Sequence, residues 1–429
     1  MSCAIGIDFG TTNSSLARVG AGGRVHLAEF PTVTGITDAY RSLLYLEQLR
    51  DRNRAVVKSW TGPEGIEAYL ASEVKGRLIQ SLKSFLASRG FAATDVFGKK
   101  RTLEELISKI LLDLREHAEK QFQIRIRTAV AGRPVRFVGA DGEEDNAFAQ
   151  SRLETAFRLA GFDSVQFELE PVAAAQYYES TLDRDELILI GDFGGGTSDF
   201  SLIHVGPSVR ARGRTPKDLL GNAGVGLAGD AFDAKIIRHL VSPALGAGTE
   251  IRSLGKLLPV PTWVYAKLER WHHLSFLKAG DVMNMLRSVR AQALEPDKID
   301  ALLHLIQEDL GYQLHRAVQR LKCDLSASDT ARFTFSDGFV ALDATVARRS
   351  FESWISEELQ QIEACVDSLL RSASVPARTV DRVFLTGGTS FVPAVRRIFD
   401  ARFGAEKIRS GNEFTSVARG LALRAASLG

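Results

Sequence analysis

The chain has 429 residues and a mass of 46.9 kDa, with Lys+Arg 54 against Asp+Glu 52. That length points to about three domains or one large two-lobed unit. A net charge of +2 gives no support for a nucleic-acid or anionic-membrane partner, and 45% hydrophobic with 25% charged residues argues against long disorder. Cys3, Cys323 and Cys365 stand far apart with no CxxC, so neither a disulfide framework nor a zinc site is expected, and free thiols in a reducing cytosol are. The start MSCAIGIDFG lacks the basic region and long apolar run of a signal peptide, and no apolar stretch approaches the about 20 residues of a membrane span. A cytoplasmic monomer is the expectation.

Taken in chain order, Cys3 to Phe9 and Ser14 to Val19 read as a β-hairpin around GTTN. Residues 30–46 are irregular and then strand-like in SLLYL, and Gly65 to Arg89 read as helical, with QSLKSFLAS as an amphipathic end. Thr102 to Phe122 is the clearest helix: Thr102 and Glu105 match a capping box, and Leu103, Leu106, Ile107, Ile110, Leu111 and Leu114 repeat at three and four. Ile124 to Ala131 is a strand, 141–145 a solvated acidic loop, and Ala147 to Leu159 a helix ended by Gly161. Strand VQFEL and a small-residue helix after Pro171 follow.

The pattern then restarts. ELILIGDFGGGTSDFSLIHV is again strand, glycine turn, strand, and Asp, Phe and Gly recur in the same order 184 residues after Asp8. An internal duplication is the economical reading. It predicts an α/β fold of two pseudo-symmetric lobes, each a mixed sheet flanked by helices, with lobe I over 1–183 and lobe II over 184–429. Residues 231–241 read as a helix, 242–261 as loop, and 262–325 as long helices. Strands ARFTF and GFVAL, helix Phe351 to Leu370, strand RVFLT, the turn GGTS, helix Pro393 to Phe403 and helix Phe414 to Ala426 complete the chain.

Glycine turns bring backbone N–H groups close to an anion. Thr11, Thr12, Asn13 and Thr197 add donors, and Asp8 and Asp192 end the first strands of their hairpins. Two facing carboxylates beside such cradles suit a Mg–nucleotide, since magnesium prefers oxygens, keeps waters and often takes only one or two carboxylates. Taken singly, each turn reads equally well as a tight hairpin, and GGTS at 387–390 alone is weaker still. Rival motifs fail. No GxxxxGK[ST] is present, and DFG has no HRD or VAIK companion. GVGLAG at 224–229 shows no clear entering strand, and its acidic partner is only Glu250. His272 and His273 show no ligand spacing.

IGIDFGTTNSSLA at 5–17 resembles the first phosphate segment of the DnaK-type heat-shock chaperone ATPases, the heat shock protein 70 family of the actin-like ATPase superfamily. GDFGGGTSDFSL at 191–202 resembles their second phosphate segment, and ELEPVAAAQYY at 168–178 their first connecting helix. FLTGGTSFVPAV at 384–395 is similar to their adenosine loop, LKCDLSAS at 321–328 to their adenine-side helix, and GNAGVGLAGDAFD at 221–233 to the stretch after the second hairpin. The likeness is nearest to shorter bacterial members that carry only the ATPase part.

The resemblance implies ATP/ADP and Mg²⁺ as cofactors, slow ATP hydrolysis, and a chaperone-like switch acting through co-chaperone, exchange factor or client. Asp8 and Asp192 hold the metal through its waters. Gly10, Thr11, Thr12, Asn13, Gly194, Gly195, Gly196 and Thr197 cradle the phosphates. Lys83 matches the catalytic lysine, and Glu170 the carboxylate tied to the metal's water shell. Glu170, Asp192 or Thr197 orients the attacking water. Gly229, Gln319, Lys322, Ser326, Gly387, Gly388, Thr389 and Phe391 line the adenosine side. Pro134 matches a relaying proline loosely, and the arginine expected on the following helix has Arg152 only as its nearest counterpart.

There are departures. Gln319 stands where the family often has glutamate, Phe391 where an arginine packs on adenine, and Phe414–Thr415 where an acidic pair is common. The stretch 243–318 reads as an enlarged, mostly helical insertion, and no peptide-binding domain is expected after it. The alternatives are a small-molecule kinase of the same superfamily, a nucleotide-dependent scaffold or filament protein, and an ATPase that binds without turning over.

Overall fold

The structure is a computed structural model. It describes residues 3–32, 35–51, 54–72, 76–180, 182–253, 255–270, 277–409 and 416–428. His272, His273, Phe414 and Thr415 lie outside the described residues. The chain divides into two compact units: Met1–Ala228 with Gln361–Ser390 and Arg396–Gly429, and Gly229–Gln360 with Phe391–Val395.

The first unit holds two sheets built to one plan. In the first, β1 (Cys3–Phe9), β2 (Asn13–Val19), β3 (Val25–Leu27), β4 (Ile126–Arg133) and β5 (Ser164–Leu169) lie in the order β5-β4-β1-β2-β3. In the second, β6 (Glu186–Phe193), β7 (Ser198–Val205), β8 (Leu219–Val225), β9 (Arg382–Thr386) and β10 (Ile408–Arg409) lie in the order β10-β9-β6-β7-β8. Three antiparallel strands meet two parallel ones in each. The helices repeat too. α1 (Leu103–Phe122) leads into β4, α2 (Glu143–Leu159) joins β4 to β5, and α3 (Glu170–Glu179) follows. α4 (Ser356–Ser372) leads into β9, α5 (Pro393–Phe403) joins β9 to β10, and α6 (Ser416–Ala426) follows. The duplication expected from two DFG turns therefore extends to the whole strand and helix order.

The sequence explains each piece locally. Ile5, Ile7 and Phe9 are buried on one face of β1, leaving Gly6 and Asp8 for the other. The run through β6 is buried almost throughout, as a central strand covered on both faces requires. Thr102 and Glu105 close the capping box at the start of α1, and the six periodic apolar residues are all buried. α3 and α6 are rich in small residues and form the layer between the sheets. Their Val172, Ala173, Ala174, Ala175, Val417, Leu421 and Ala425 pack with Val130 of the first sheet and Ile188, Ile190, Ile203 and Val205 of the second.

Several expectations are corrected. Residues 65–89 are not one helix. A helix over Gly62–Ala71 gives way to strand Arg77–Gln80, which pairs with Leu43–Asp51; that strand in turn pairs with Arg54–Thr61. Ser81 then turns left-handed at φ 54°, and Leu82–Phe85 is a single 3₁₀ turn. The acidic stretch is not all loop: Glu143, Glu144 and Asp145 form the first turn of α2, where negative charge suits the helix dipole. Residues 242–261 include a hairpin, Glu250–Ser253 with Lys256–Pro259. The helix expected from Phe351 is broken at Ile355 into Arg348–Trp354 and α4. GVGLAG does have an entering strand, β8, but it runs antiparallel to β7 and makes no parallel βαβ unit.

The second unit is mainly helical. It comprises helices Gly229–Ile236, Thr262–Leu268, Gly280–Gln292, Pro296–Gln307 and Gly311–Ala327, and the hairpin Thr330–Ser336 with Ala341–Ala347. Among the described residues no helix is long and apolar enough to cross a membrane.

Candidate functional site

Asp8 and Asp192 occupy equivalent places, each next to last in the first strand of its hairpin. Asp8 pairs with Ser15 across the antiparallel ladder, and Asp192 with Asp199. Lys83, on its 3₁₀ turn, donates from Nζ to Glu170 Oε1 at 2.7 Å, with both side chains 9% exposed. Glu170 is the first residue of α3, and Gly132 of β4 leaves it room: a Cβ there would lie 3.0 Å from Glu170 Cγ. On the other sheet Thr386 Oγ1 donates to Asp192 Oδ1 at 2.6 Å.

These groups share one electrostatic environment. Asp8 and Asp192 keep part of their surface open, yet burial is the main cause that raises both. Asp8 is pushed well above the ordinary carboxylate value by burial and Glu170, with Lys83 opposing and Asp192 adding. Asp192 is pushed up to about 6 by burial and Glu170, against the Thr386 hydrogen bond and Lys83. For Lys83, burial alone would lower the ammonium. Glu170, Asp8 and Asp192 outweigh it and hold the lysine above its usual value. So Asp8, Asp192, Glu170 and Lys83 meet, although they come from four separate stretches of chain.

The turns close around this cluster. At Gly10 a Cβ would lie 2.1 Å from the Asn13 carbonyl, so the first turn admits only glycine. Thr11, Thr12 and Asn13 are half-buried there; the Thr12 carbonyl accepts from Ser42 N at 2.9 Å. In the second turn Gly194 N donates to the Thr197 carbonyl at 2.9 Å, Gly195 is half-buried, and a Cβ on Gly196 would lie 3.1 Å from Val138 Cγ2 and 3.6 Å from Ser84 Oγ, beside Lys83. Gly387 has φ +83°, and a Cβ there would lie 1.9 Å from the Phe193 carbonyl, so GGTS presses on the second hairpin. Gly388 is exposed and Thr389 buried.

The remaining expected residues fall in the second unit. Gly229 opens its first helix. Lys322 Nζ donates to the Gly229 carbonyl at 3.1 Å and pairs with Asp233 at 2.7 Å, so its ammonium is already engaged. Ser326 Oγ donates to the Lys322 carbonyl. Gln319 is half-buried on the same helix, and Phe391 is 53% exposed.

Two residues escaped sequence reading. Asp199 is 1% exposed and raised well above the ordinary value by burial, Glu170 and Asp192; the Arg136 N–H and Thr197 side chain oppose this. Its signal was an acid inside a strand, SDFSLIHV, that carries no other acidic or basic residue than His204. Thr386 gave no signal, because its contact spans 194 residues.

A family model described as Hsp70 protein matches residues 78–250 and 295–429. The chain belongs to the Hsp70 family. Its fold is accordingly the actin-like ATPase fold, with the repeated sheets as the two halves of the design. Curated relatives include the Chaperone protein DnaK of two strains of Thermus thermophilus. Each is 27% identical over 449 aligned residues, which cover 100% of this chain and 61% of the relative. The chain thus spans about three fifths of the length of these Hsp70 relatives. Matched residues include Lys83, Glu170, Asp192, Lys322 and the GGTS turn. The Hsp70 model leaves out 1–77, which holds Asp8 and the first glycine turn, and 251–294, which holds most of the hairpin Glu250–Ser253 with Lys256–Pro259.

An Hsp70-type Mg–nucleotide fits the donors present. Three carboxylates crowd one ammonium, and burial together with Glu170 pushes Asp8 and Asp192 toward protonation, an environment that a bound cation would relieve. Among the described residues no three His, Cys, Asp or Glu side chains gather into a protein-only metal cage. Two carboxylates with water and phosphate oxygens form the kind of incomplete set that magnesium accepts.

Proposed function

We propose that this chain binds Mg–ATP and Mg–ADP and hydrolyses ATP slowly, as the nucleotide-controlled part of a chaperone-like switch. One observation carries the reading: the buried Lys83–Glu170 pair, Asp8 and Asp192 form one charged cluster beside two glycine hairpins. Phosphoryl transfer asks for charge neutralisation and an aligned water rather than covalent chemistry.

In this reading Asp8 and Asp192 hold the ion through its waters, and magnesium supplies neutralisation of phosphate charge. The turn N–H groups of 10–13 and 194–197 receive the phosphates. Lys83, kept charged by its acidic neighbours, faces the terminal phosphate. Glu170 fixes the lysine, and Glu170, Asp192 or Thr197 accepts a hydrogen bond from the attacking water. Gly229, Gln319, Lys322, Ser326, Gly387, Gly388, Thr389 and Phe391 serve the adenosine side, with lobes at 1–183 and 184–429. Gln319 and Phe391 loosen ring selectivity.

The relatives' name, chaperone, supports protein partners such as a co-chaperone, exchange factor or client, and a cytoplasmic setting belongs to the same proposal. The test is calorimetric titration with Mg–ATP and Mg–ADP beside a turnover assay. Binding of both, with slow phosphate release, is expected. Absence of binding in Mg²⁺ removes the proposal.

A further inference from the structure

We infer that Arg41 is a second cation of the phosphate site, set to meet the terminal phosphate of a bound nucleoside triphosphate. This rests on the nucleotide reading above and adds a residue to it.

The backbone register gives the side chain its direction. Tyr40–Arg41 is a two-residue strand against the start of β2, with Asn13 opposite Arg41 and Ser14 opposite Tyr40. Successive strand residues face opposite ways. Tyr40 is 2% exposed and points into the core, its hydroxyl bonded to Thr61 and Asp113. Arg41 therefore faces the other side. Asn13 shares that side, as does Ser15 two residues on, and Ser15 stands opposite Asp8. Arg41, Asn13, Ser15 and Asp8 form a row on one face of the sheet, the face of the charged cluster.

Two contacts fasten the arginine to the first turn. Its Nη1 donates to Asn13 Oδ1 at 3.2 Å, and the neighbouring Ser42 N donates to the Thr12 carbonyl at 2.9 Å. Within the same row, buried Ser15 Oγ has no hydrogen-bond partner among the described residues. An orphaned hydroxyl beside Asp8 is a donor left for a ligand or its water.

Charge decides what the arginine is for. Asp8, Glu170 and Asp192 face Lys83, formally three carboxylates against one ammonium, and Asp199 stands beside Glu170 and Asp192. A magnesium-bound triphosphate adds about two negative charges. One ammonium does not balance that load. A guanidinium offers a fork of donors matched to phosphate oxygens, stays charged at any working pH, and is less strongly hydrated than an ammonium. A diphosphate lacks the group it would meet, so Arg41 separates ATP from ADP.

The experiment uses the full chain with Arg41→Ala, Arg41→Lys and Arg41→Gln. Mg–ATP, a non-hydrolysable Mg–ATP analogue and Mg–ADP are titrated calorimetrically, with melting midpoints recorded with and without each. Arg41→Ala should weaken both triphosphates by about tenfold or more, the size of a lost charged hydrogen bond, and Mg–ADP by less than about twofold. Arg41→Lys should fall between. Arg41→Gln, which keeps a donor for Asn13 without the charge, should behave like Arg41→Ala and guards against misfolding of the smaller variant. Equal weakening of ATP and ADP, or none, overturns the inference while leaving the nucleotide site standing. If the unaltered chain binds neither nucleotide, the site reading fails and the inference falls with it.

Discussion

Lys83 and Glu170 are 87 residues apart in sequence and meet at 2.7 Å, buried, with Asp8 and Asp192 in electrostatic reach. The pair is held from both ends. Lys83 sits on a 3₁₀ turn whose Leu86 N–H donates back to the Lys83 carbonyl, and Glu170 fills the space left by Gly132. Lys83→Ala leaves a buried carboxylate unpaired beside two others, which costs about 3 kcal/mol when a buried partner is removed. Turnover should fall by about a hundredfold or more, while Mg–ADP affinity, which the proposed function assigns to the hairpins, should change little. Unfolding by urea and a phosphate-release assay check both. Turnover equal to the unaltered chain would refute a role for the lysine.

The same crowding sets a pH dependence. Asp192 is raised from 3.8 to about 6, so folding takes up a proton between those values. Its stabilising contribution is complete below about pH 4 and is lost as the pH rises through about 6, where the burial of a charged carboxylate is felt in full. Asp192→Asn removes that loss. Without nucleotide, this variant should be more stable than the unaltered chain by roughly 3 kcal/mol at pH 8, and hardly more stable at pH 4. The difference between two urea-denaturation series from pH 4 to 8 reads this directly. A difference that is flat with pH would show that Asp192 is not desolvated in the folded protein.

Thr386 provides an opposing handle. Its hydroxyl bonds the charged form of Asp192 and holds the carboxyl lower than burial alone would. Thr386→Val keeps the shape and removes the donor. The Asp192 titration should move above about 6, followed by carboxyl ¹³C shifts. An unchanged or lower midpoint would mean that the hydrogen bond does not set it.

How much of this was legible depended on range. Asp8 and Asp192 stood out because each follows an apolar strand and precedes a glycine turn, which are local signals. The family likeness pointed to Lys83 and Glu170, yet the element bearing Lys83 was misread. Leu78, Ile79, Leu82, Phe85 and Leu86 have helical spacing, but Gln80 pairs with Leu43 and Ser81 turns left-handed. Tertiary pairing overrode the periodicity. SLLYL read as strand, but its partner Arg54–Thr61 did not, because Ala55 to Ser59 are all exposed and show no buried face to mark a strand. Asp199 lay within a quoted motif and still escaped, because its importance comes from burial beside Asp192 and Glu170. The matching order of the two sheets needed the topology itself.

Among the described glycines, the one with least room for a side chain is Gly420, where α6 crosses α3 between the two sheets. A Cβ on Gly420 would lie 1.7 Å from the Ala173 carbonyl oxygen and 2.4 Å from its carbon. Both are backbone atoms, so no side chain can swing aside. α6 also packs on β1, and α3 carries Glu170 at its first position, so separating the helices strains the sheets and the lysine's partner together. Gly420→Ala should destabilise by about 3 kcal/mol, the upper range for overpacking a tight interface. Mg–ADP binding, where it survives, should be weaker. Gly226→Ala is the control: nothing lies within 4 Å of its Cβ and its backbone suits any residue, so a change within about 0.5 kcal/mol is expected. If the two variants melt alike, the helix crossing is not the tight joint of the fold, and the two halves are held together elsewhere.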